Sequence, residues 1–392
     1  MSLRNSKPLT WKPKGVSDAV DGTNSFPGAM SKLANLIPDP STSSIFVPRP
    51  AAIELESFAS LTQAGQVSCM FILGDVVYGL IGSGMAPGYD QPFAYDLVTQ
   101  SLLPVAGVTN LNVPLTQPTS GDWTPPIMAT LSTFILVTHP GFTGFANGYF
   151  GWFDITSPTA PVWNSGNVAG NPLIEPPTFV SVYGGRAYYA VRNATPASDS
   201  EDPLLITNAN QVLTYGSETP ILAMAGMPLN NLSGGVVQSL FVFKDDEGEA
   251  LFQVTGDYSG IPAAWQINRL NVSAGTRAPN TLVTTPYGLA FIDYDGLRLI
   301  DFSGNVSDPI GNNGQGVTLP FKNAVAPSRM VAAFNRNIIR VTVQNGADPV
   351  REFQEWWYDF NLKIWTGPHS FPVAQIKAWR GTFIAANPIV NQ

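Results

Sequence analysis

The residues best suited to catalysis in this chain form an acidic run, Asp245-Asp246-Glu247, with Glu249 two positions on. Hydrolysis of a glycosidic bond uses two acidic side chains that flank the bond, so such a run is a natural candidate for an enzyme site. The run, however, separates two alternating apolar segments and ends in a glycine, which is the pattern of a hairpin tip. All four carboxylates can stay in water there. We interpret the cluster as a solvated turn.

Nucleophilic catalysis by a Ser-His-Asp set needs a histidine base, and the chain has two histidines, His139 and His369. Each stands beside proline and glycine, which predicts turn residues, and two distant histidines also argue against a His-rich metal site. Cys69 is the only cysteine, so an intramolecular disulfide and a thiolate zinc site are both excluded. The apolar neighbours of Cys69 predict a buried thiol.

Other motifs for ligands are incomplete. Asp293-Tyr294-Asp295-Gly296 resembles part of a calcium loop, but the twelve-residue spacing and the closing glutamate are missing, and a hairpin turn explains it better. Ser120-Gly121-Asp122-Trp123 is only a superficial echo of the sialidase box. The chain has neither phosphate-binding glycine motif of nucleotide sites. We therefore predict no enzyme activity, no cofactor and no metal.

The charge is low and unevenly placed. Charged residues make up 12% of the 392 residues, about half of the roughly 25% usual in globular domains. The net charge is −8, yet the first 17 residues carry four bases, Arg4, Lys7, Lys12 and Lys14, and no acid. A basic docking arm thus precedes an acidic body, which argues against specific DNA recognition. The chain begins without an apolar leader and has no apolar stretch of about 18 residues, so we expect neither classical export nor stable membrane association.

From about Ile45 onward, strand-like runs of four to eight residues alternate with Gly, Pro, Asn and Asp. The clearest hairpins span 239–254 and 289–300, the second turning at Asp295-Gly296. No convincing long helix follows residue 58. This pattern predicts an all-β meander of antiparallel hairpins.

Six strand-like runs end in Asp or Asn, spaced 58, 54, 60, 33 and 58 residues apart. A short carboxylate or amide at a strand end accepts a hydrogen bond from the backbone two residues on and so begins a turn. A repeat of this size predicts the blades of a β-propeller. The turn markers are Asp96, Asp154, Asn208, Asn268, Asp301 and Asp359.

The markers divide the chain into an N-terminal arm, 1–43, and a propeller, 44–392. Within the arm, 27–36 has the spacing of a short amphipathic helix. Closing a propeller usually needs strands from both chain ends, so 44–58 either pairs with 372–387 as a seventh blade or pads a six-bladed ring. The six predicted blades are roughly 66–105, 127–168, 176–216, 234–270, 278–310 and 326–368.

Two stretches, together with the closing Trp357-Tyr358-Asp359 and Trp365, resemble a known family. They are Asn35 to Ala51, with Ile37-Pro38-Asp39-Pro40, and Gly275 to Leu282, with Gly288-Leu289-Ala290-Phe291 downstream. They are similar to the tail nozzle or tail hub proteins of short-tailed bacteriophages, also called packaged-DNA stabilisation proteins. The resemblance spans roughly 35–366 and rests on short motifs.

The resemblance implies a structural virion protein that forms a homohexameric ring at the distal end of the head-to-tail connector. Such a ring binds the adaptor or connector protein, holds a tail needle, plug or fibre, and lets DNA pass without specific recognition. It retains the packaged genome and then releases it. The implied location is the virion tail, assembled in the host bacterial cytoplasm.

Two other function classes stay open. A carbohydrate-active or host-surface-binding propeller would need carboxylates that converge at the central channel. A generic protein-interaction propeller would carry WD or kelch repeat signatures, and neither signature occurs in register.

Overall fold

The computed structural model describes residues 36–38, 46–48, 66–82, 90–107, 124–142, 148–230, 235–244, 249–256, 265–311, 317, 319–344, 353–369 and 373–386. These residues form 29 strands and one four-residue helix, Leu319–Lys322, so the predicted all-β class is confirmed. Single 3-10 turns lie at Pro140–Phe142, Pro279–Thr281 and Pro327–Arg329.

The strands are short because turn residues interrupt the apolar runs every few positions. In chain order they are β1 (Leu36–Pro38), β2 (Phe46–Pro48), β3 (Gln66–Leu73), β4 (Val76–Gly82), β5 (Asp90–Asp96), β6 (Ser101–Leu103), β7 (Ile127–Leu131), β8 (Phe134–Thr138), β9 (Phe150–Asp154), β10 (Val162–Gly166), β11 (Ala169–Gly170), β12 (Phe179–Tyr183), β13 (Arg186–Ala190), β14 (Ala194–Pro196), β15 (Leu205–Ile206), β16 (Val212–Thr214), β17 (Ile221–Asn230), β18 (Val236–Lys244), β19 (Leu251–Thr255), β20 (Gln266–Arg269), β21 (Val283–Thr285), β22 (Gly288–Asp293), β23 (Gly296–Ile300), β24 (Val331–Asn335), β25 (Ile338–Gln344), β26 (Phe353–Asp359), β27 (Ile364–His369), β28 (Gln375–Trp379) and β29 (Thr382–Ala386).

Five sheets of three or four antiparallel strands follow one another along the chain: β3–β6, β7–β10, β17–β20, β21–β23 and β24–β27. In each sheet, strands adjacent in sequence are adjacent in space. The first strands of successive units contact one another in turn, from β3 to β7, β12 and β17, then through the 279–281 turn to β24 and β28. Strand β28 also contacts β3, which closes the ring. The chain is a β-propeller, as its sequence predicted.

The number of full sheets differs from the prediction of six or seven blades, because the described residues form five. The predicted unit 176–216 forms two separate ladders, β12–β13 and β14–β16, beside a short parallel pair, β11–β15. Strand β14 has three residues and ends in Pro196, which has no N–H for a ladder. Towards β13, the structure has two isolated bridges in place of a ladder, Val191↔Ala194 and, one residue beyond β14, Tyr188↔Ala197. The last hairpin, β28–β29, has only two strands.

Two boundaries also differ from the sequence prediction. The sheet at predicted unit 234–270 starts at Ile221, because the ten-residue β17 pairs along β18. Of the predicted helix 27–36, residue 36 alone is described, and Leu36 lies in β1 and pairs with Pro48 of β2. Residues 46–48 of the proposed closing segment therefore pair with β1 and not with β28–β29. Arm residues 1–35 and 39–43 lie outside the described part of the chain.

Apolar side chains between neighbouring sheets form the core. Tyr78 of the first sheet packs on Phe153 of the second with ring centroids 5.5 Å apart, and Cys69 is buried in the same cluster, as predicted. Between the third and fourth sheets, Phe243 and Phe291 lie 5.0 Å apart. Such contacts fix each sheet against the next and give the turns a rigid base.

Candidate functional site

The turn markers are concentrated on one face of the propeller. Asp96, Asp154 and Asp359 are the last residues of β5, β9 and β26, and Asp301 directly follows β23. Each of these strands is the third of its unit. Because strand direction alternates, the turns that follow lie on the same side as the turns between first and second strands. We call this side the turn face.

Five markers accept a backbone hydrogen bond from the residue two positions on. The Oδ1 to N distances are 2.8 Å for Asp96 to Val98, 3.0 Å for Asp154 to Thr156, 2.9 Å for Asn208 to Asn210, 2.8 Å for Asp301 to Ser303 and 2.8 Å for Asp359 to Asn361. The N–H groups of Thr99 and Val98 lower the pKa of Asp96, so this carboxylate is held ionised by its own turn.

Asn268 does not end a third strand. It lies inside β20, opposite Gln253 of β19. The third strand of that sheet is β19, which ends at Thr255, and the next acidic residue in the sequence is Asp257, outside the described residues. Placing the marker at Asp257 changes the two irregular intervals of 60 and 33 residues to 49 and 44.

A second bond, which the sequence did not reveal, connects the two turns of a sheet. The residue after the marker donates its backbone N–H to a carbonyl of the first turn: Leu97 to Asp75 at 2.9 Å, Ile155 to Thr133 at 2.8 Å and Phe360 to Asn337 at 2.9 Å. At Asp96, Asp154 and Asp359 the marker therefore orders its own turn, and the residue after it joins that turn to the first one. The chemistry of these residues is structural.

The ring is joined across the chain ends at a junction that we call the seam, between hairpin β28–β29 and the first sheet. Gln375 Nε2 donates to the Ser68 carbonyl at 2.9 Å, and Trp379 Nε1 donates to Asp75 Oδ1 at 3.1 Å. Arg380 binds the other oxygen of Asp75. Asp75 thus accepts hydrogen bonds from the hairpin through both side-chain oxygens.

A buried ion pair lies where the fifth sheet meets the same hairpin. Arg340 donates to Glu355 Oε1 at 2.6 Å through Nε, and Glu355 is inaccessible to solvent. The guanidinium also lies between the rings of Trp357 and Phe383, at 4.6 and 4.7 Å. Phe383 belongs to β29, so this cation is held by both units.

The two histidines are buried. His139 follows β8, and its Nδ1 accepts a hydrogen bond from the Gly141 N–H at 2.9 Å, so Nε2 carries the proton and donates to the Thr124 carbonyl at 3.0 Å. Burial lowers the pKa of His139 to about 4. His369 is not in a turn, because it is the last residue of β27, with Nε2 3.2 Å from Thr366 Oγ1.

The acidic groups singled out in the sequence are distributed over separate turns. Of the run around 245, Glu249 is described, and its Oε2 accepts the Ser217 N–H at 2.5 Å. Asp293 is in the β22–β23 hairpin, where Arg298 Nε lies 2.7 Å from its carboxylate. Burial raises the pKa of Asp293 against the lowering effects of the Tyr294 N–H and Arg298.

Lys244 is a buried cation that sequence reasoning missed. Its Nζ donates to the carbonyls of Tyr215 at 2.9 Å and Ser217 at 2.7 Å, and it lies 3.1 Å from Ser217 Oγ. A lysine at the end of an apolar strand, before an acidic tip, resembles an exposed residue in sequence. Only the fold brings the 215–217 carbonyls to it.

The sequence motif from Gly275 to Leu282 is a compact connection on the face opposite the turn face. Thr276 Oγ1 donates to the Ile292 carbonyl at 2.6 Å, and Thr281 Oγ1 donates to the Ala278 carbonyl at 2.7 Å. Thr281 Oγ1 also accepts the Ile292 N–H at 3.1 Å. The two threonines thus fasten the connection to β22.

The proposed docking arm, with Arg4, Lys7, Lys12 and Lys14, lies outside the described residues. Within the described ranges, no group of three or more His, Cys, Asp or Glu side chains is placed to hold a metal ion. In the same ranges, no helix is long and apolar enough to cross a membrane.

Comparison with known proteins gives likeness in fold alone. No family model and no curated protein matches the chain. Among solved structures it is similar to Saccharomyces cerevisiae Sqt1, with 12% identity, coverage of 83% of this chain and 94% of that one, and a TM-score of 0.44. It is also similar to the WD40 β-propeller domain of Doa1, with 11% identity, 82% and 94% coverage and a TM-score of 0.39. A third similar structure is BBS1N in complex with ARL6DN, with 12% identity, coverage of 84% of this chain and 91% of that one, and a TM-score of 0.43.

Proposed function

We propose that this protein is a structural subunit of a virion, forming the distal nozzle or hub ring of a short-tailed phage. In that role it extends the DNA channel below the connector, helps retain the packaged genome and lets it pass at ejection. Its partners are further copies of itself, the adaptor protein above and a needle, plug or fibre below. The protein has no catalytic task in this proposal.

The observation that carries the proposal concerns the residues on which the family resemblance rests. In the structure these residues hold strands and connections together. Thr276 and Thr281 fasten a connection to β22. Asp359 begins the β26–β27 turn, and Trp365, fully buried, lies 5.1 Å from Tyr358 and donates from Nε1 to the Ile310 carbonyl at 3.3 Å. Residues that fasten strands and connections to one another in this way suit a subunit of a rigid ring.

The charge distribution supports the same role. Beyond residue 17 the chain carries 28 acidic and 16 basic residues. DNA phosphates bind cationic surfaces strongly, so an acidic channel lets DNA slide without adhering. The four bases of the arm suit docking on an acidic neighbour, and the low content of charge suits a surface occupied by subunit contacts.

We further propose that the ring has seven blade positions. Hairpins β12–β13 and β28–β29 each fill a position between full sheets, because β12 contacts β7 and β17 while β28 contacts β24 and β3. Together with the five sheets they give seven. Averaged images of the isolated protein, viewed along the propeller axis, test this count.

Cryo-electron microscopy of phage particles, combined with native mass spectrometry of the purified protein, tests the functional proposal. We expect closed rings, hexameric on the family resemblance, at the distal end of the tail. A strictly monomeric protein that is absent from particles would overturn the proposal. Turnover of host-surface glycans by the purified protein would instead favour a carbohydrate-active propeller.

A further inference from the structure

The fifth sheet presents exposed bases on the turn face. Arg336 is in the turn between β24 and β25, Lys363 is in the turn between β26 and β27, and both are exposed. No carboxylate among the described residues forms an ion pair with either base. Asp359, which begins the second turn, accepts hydrogen bonds from the backbone N–H groups of Asn361 and Leu362. The two bases are therefore available to a partner.

Exposed acids lie on the turn face beside β12 and β13. Glu201 donates its N–H to the carbonyl of Gly185, in the turn between those strands, at 2.7 Å. Asp202 follows it, and both acidic residues are exposed. Within the described part of the chain, neither carboxylate forms an ion pair. These acids can thus also bind a partner.

Each charged region includes one exposed apolar residue. Leu362, beside Lys363, is 36% exposed, and Val212 is 43% exposed. Gln211, the residue before Val212, donates from Nε2 to Asp199 Oδ1 at 2.9 Å, so Val212 lies beside the loop that carries the two acids. Exposed apolar residues with charged neighbours are typical of a protein contact surface. We call Arg336, Leu362 and Lys363 the basic side, and Glu201, Asp202 and Val212 the acidic side.

The turns themselves do not require these charged residues. Glu201, Arg336 and Lys363 have φ values of 61°, 47° and 55°, in the left-handed region. Glycine adopts this conformation without a steric cost, and asparagine or aspartate adopts it more readily than a long side chain does. A long charged residue at each of these tips is therefore explained better by a contact outside the turn than by the turn.

The two sides lie across the propeller axis from each other. Around the ring the units follow the order β3, β7, β12, β17, the 279–281 turn, β24 and β28. The acidic side belongs to the β12 unit and the basic side to the β24 unit, so at least two units separate them in either direction. They cannot meet within one molecule. The acidic side of one copy can, however, meet the basic side of the next.

We propose that copies of this chain associate head to tail, with the acidic side of one copy docked on the basic side of the next. A contact between two unlike surfaces is heterologous, and its repetition about an axis closes a ring. Opposite charges favour this pairing over contacts between like sides, and Leu362 and Val212 add apolar area. The inference rests on the proposed function, which requires a ring of copies, and it identifies the surfaces that join them.

Charge reversal followed by mixing tests the contact in the full-length protein. One variant carries Arg336→Glu with Lys363→Glu, and the other carries Glu201→Lys with Asp202→Lys. We expect the fraction of copies assembled into rings to fall at least about 10-fold in each variant alone, because like charges then face one another. An equimolar mixture should recover rings in which the two variants alternate. Native mass spectrometry measures both results. Lys322→Glu, at an exposed residue before the fifth sheet, is the control and should leave the rings unchanged.

The outcomes separate this contact from the proposed function. Rings of the unaltered protein that persist in both reversed variants would overturn the contact and leave the proposed function standing. An unaltered protein that is strictly monomeric would overturn both. A mixture that yields only two-copy complexes would show that the sides pair two molecules, and it would overturn the head-to-tail ring contact.

Salt dependence keeps the proposal testable if a reversed variant does not fold. In the unaltered protein the ring fraction should fall as NaCl rises from about 0.05 M to about 0.5 M, because salt screens exposed charges. The milder double variant Lys363→Gln with Glu201→Gln removes one charge from each side and should respond less to salt. Equal salt responses of the two proteins would contradict the charged contact.

Discussion

Gln375 donates its Nε2 hydrogen to the carbonyl of Ser68 at 2.9 Å, across 307 positions of the sequence. Both residues are buried, so the carbonyl has no water to replace the amide. This single bond joins the last hairpin to the first sheet at the seam. It belongs to the group of contacts that convert an open series of sheets into a ring.

Replacing Gln375 with Leu is expected to destabilise the protein by about 1–3 kcal/mol, because the buried Ser68 carbonyl loses its donor. Urea unfolding at equilibrium measures the change. The control is Gln238→Leu, which alters an exposed glutamine of β18 and should change the free energy of unfolding by less than about 0.5 kcal/mol. Equal effects of the two variants would contradict the structural role of the seam bond.

The turn marker Asp359 gives a sharper test of the predicted punctuation. Asp359→Ala removes the acceptor of the Asn361 and Leu362 N–H groups and should cost about 1 kcal/mol. Asp359→Asn keeps a side-chain carbonyl at the same place and should recover most of the loss. If Asn is as harmful as Ala in thermal unfolding, the turn does not depend on the accepted hydrogen bonds.

The Arg340–Glu355 pair should behave as a buried unit. Arg340→Leu leaves an uncompensated carboxylate in the interior and is expected to cost about 3–5 kcal/mol. The double variant Arg340→Leu with Glu355→Leu should cost less than Arg340→Leu alone, because no charge is then left unpaired.

The exposed pair Arg192–Glu175, with an Nε to Oε1 distance of 2.8 Å, is the control. Arg192→Leu should cost no more than about 1 kcal/mol, because water screens that pair. A double-mutant cycle by chemical denaturation compares the two pairs. Equal coupling energies would contradict the difference in burial.

His139 should make stability depend on pH. Its folded pKa of about 4 lies below the unfolded value of about 6.5, so the unfolded state binds more protons between these values. The contribution is fully present above pH 6.5 and is lost as pH falls towards 4, to a total of about 3 kcal/mol. Urea unfolding at several pH values between 4.5 and 7 gives the free energy of unfolding at each pH. This free energy should rise less steeply with pH for His139→Gln than for the unaltered protein. Identical slopes would exclude His139 as the source.

Removing residues 1–17 tests the basic arm. We expect the truncated protein to lose affinity for the adaptor while the propeller unfolds at the same temperature, because Arg4, Lys7, Lys12 and Lys14 contribute charge to docking and not to the core. Co-sedimentation with the adaptor and thermal unfolding measure the two properties. A second variant replaces these four basic residues with Gln and keeps the chain length. It distinguishes the effect of the lost charge from the effect of the lost residues. Unchanged binding by both variants would defeat the arm proposal.

Particular residues show why some features were predictable and others were not. Asp96, Asp154 and Asp359 act within two or three residues of themselves, so their turns follow from local sequence alone. Asn268 has the same local pattern, yet pairing with β19 places it inside a strand. The ten-residue β17 escaped prediction because Gly226 and Pro228 interrupt its apolar run, and its pairing with β18 overrides them.

The sequence by itself determined the all-β class, the turn chemistry and the separation of charge, since these depend on composition and on neighbours in the chain. The tertiary structure decided which side chains meet. Lys244 donates to the Tyr215 carbonyl, and Gln375 donates to the Ser68 carbonyl. The Arg340 guanidinium lies between the rings of Trp357 and Phe383. These pairings join residues of different sheets or turns. They depend on how the sheets are arranged around the ring, which the local periodicity of the sequence does not determine.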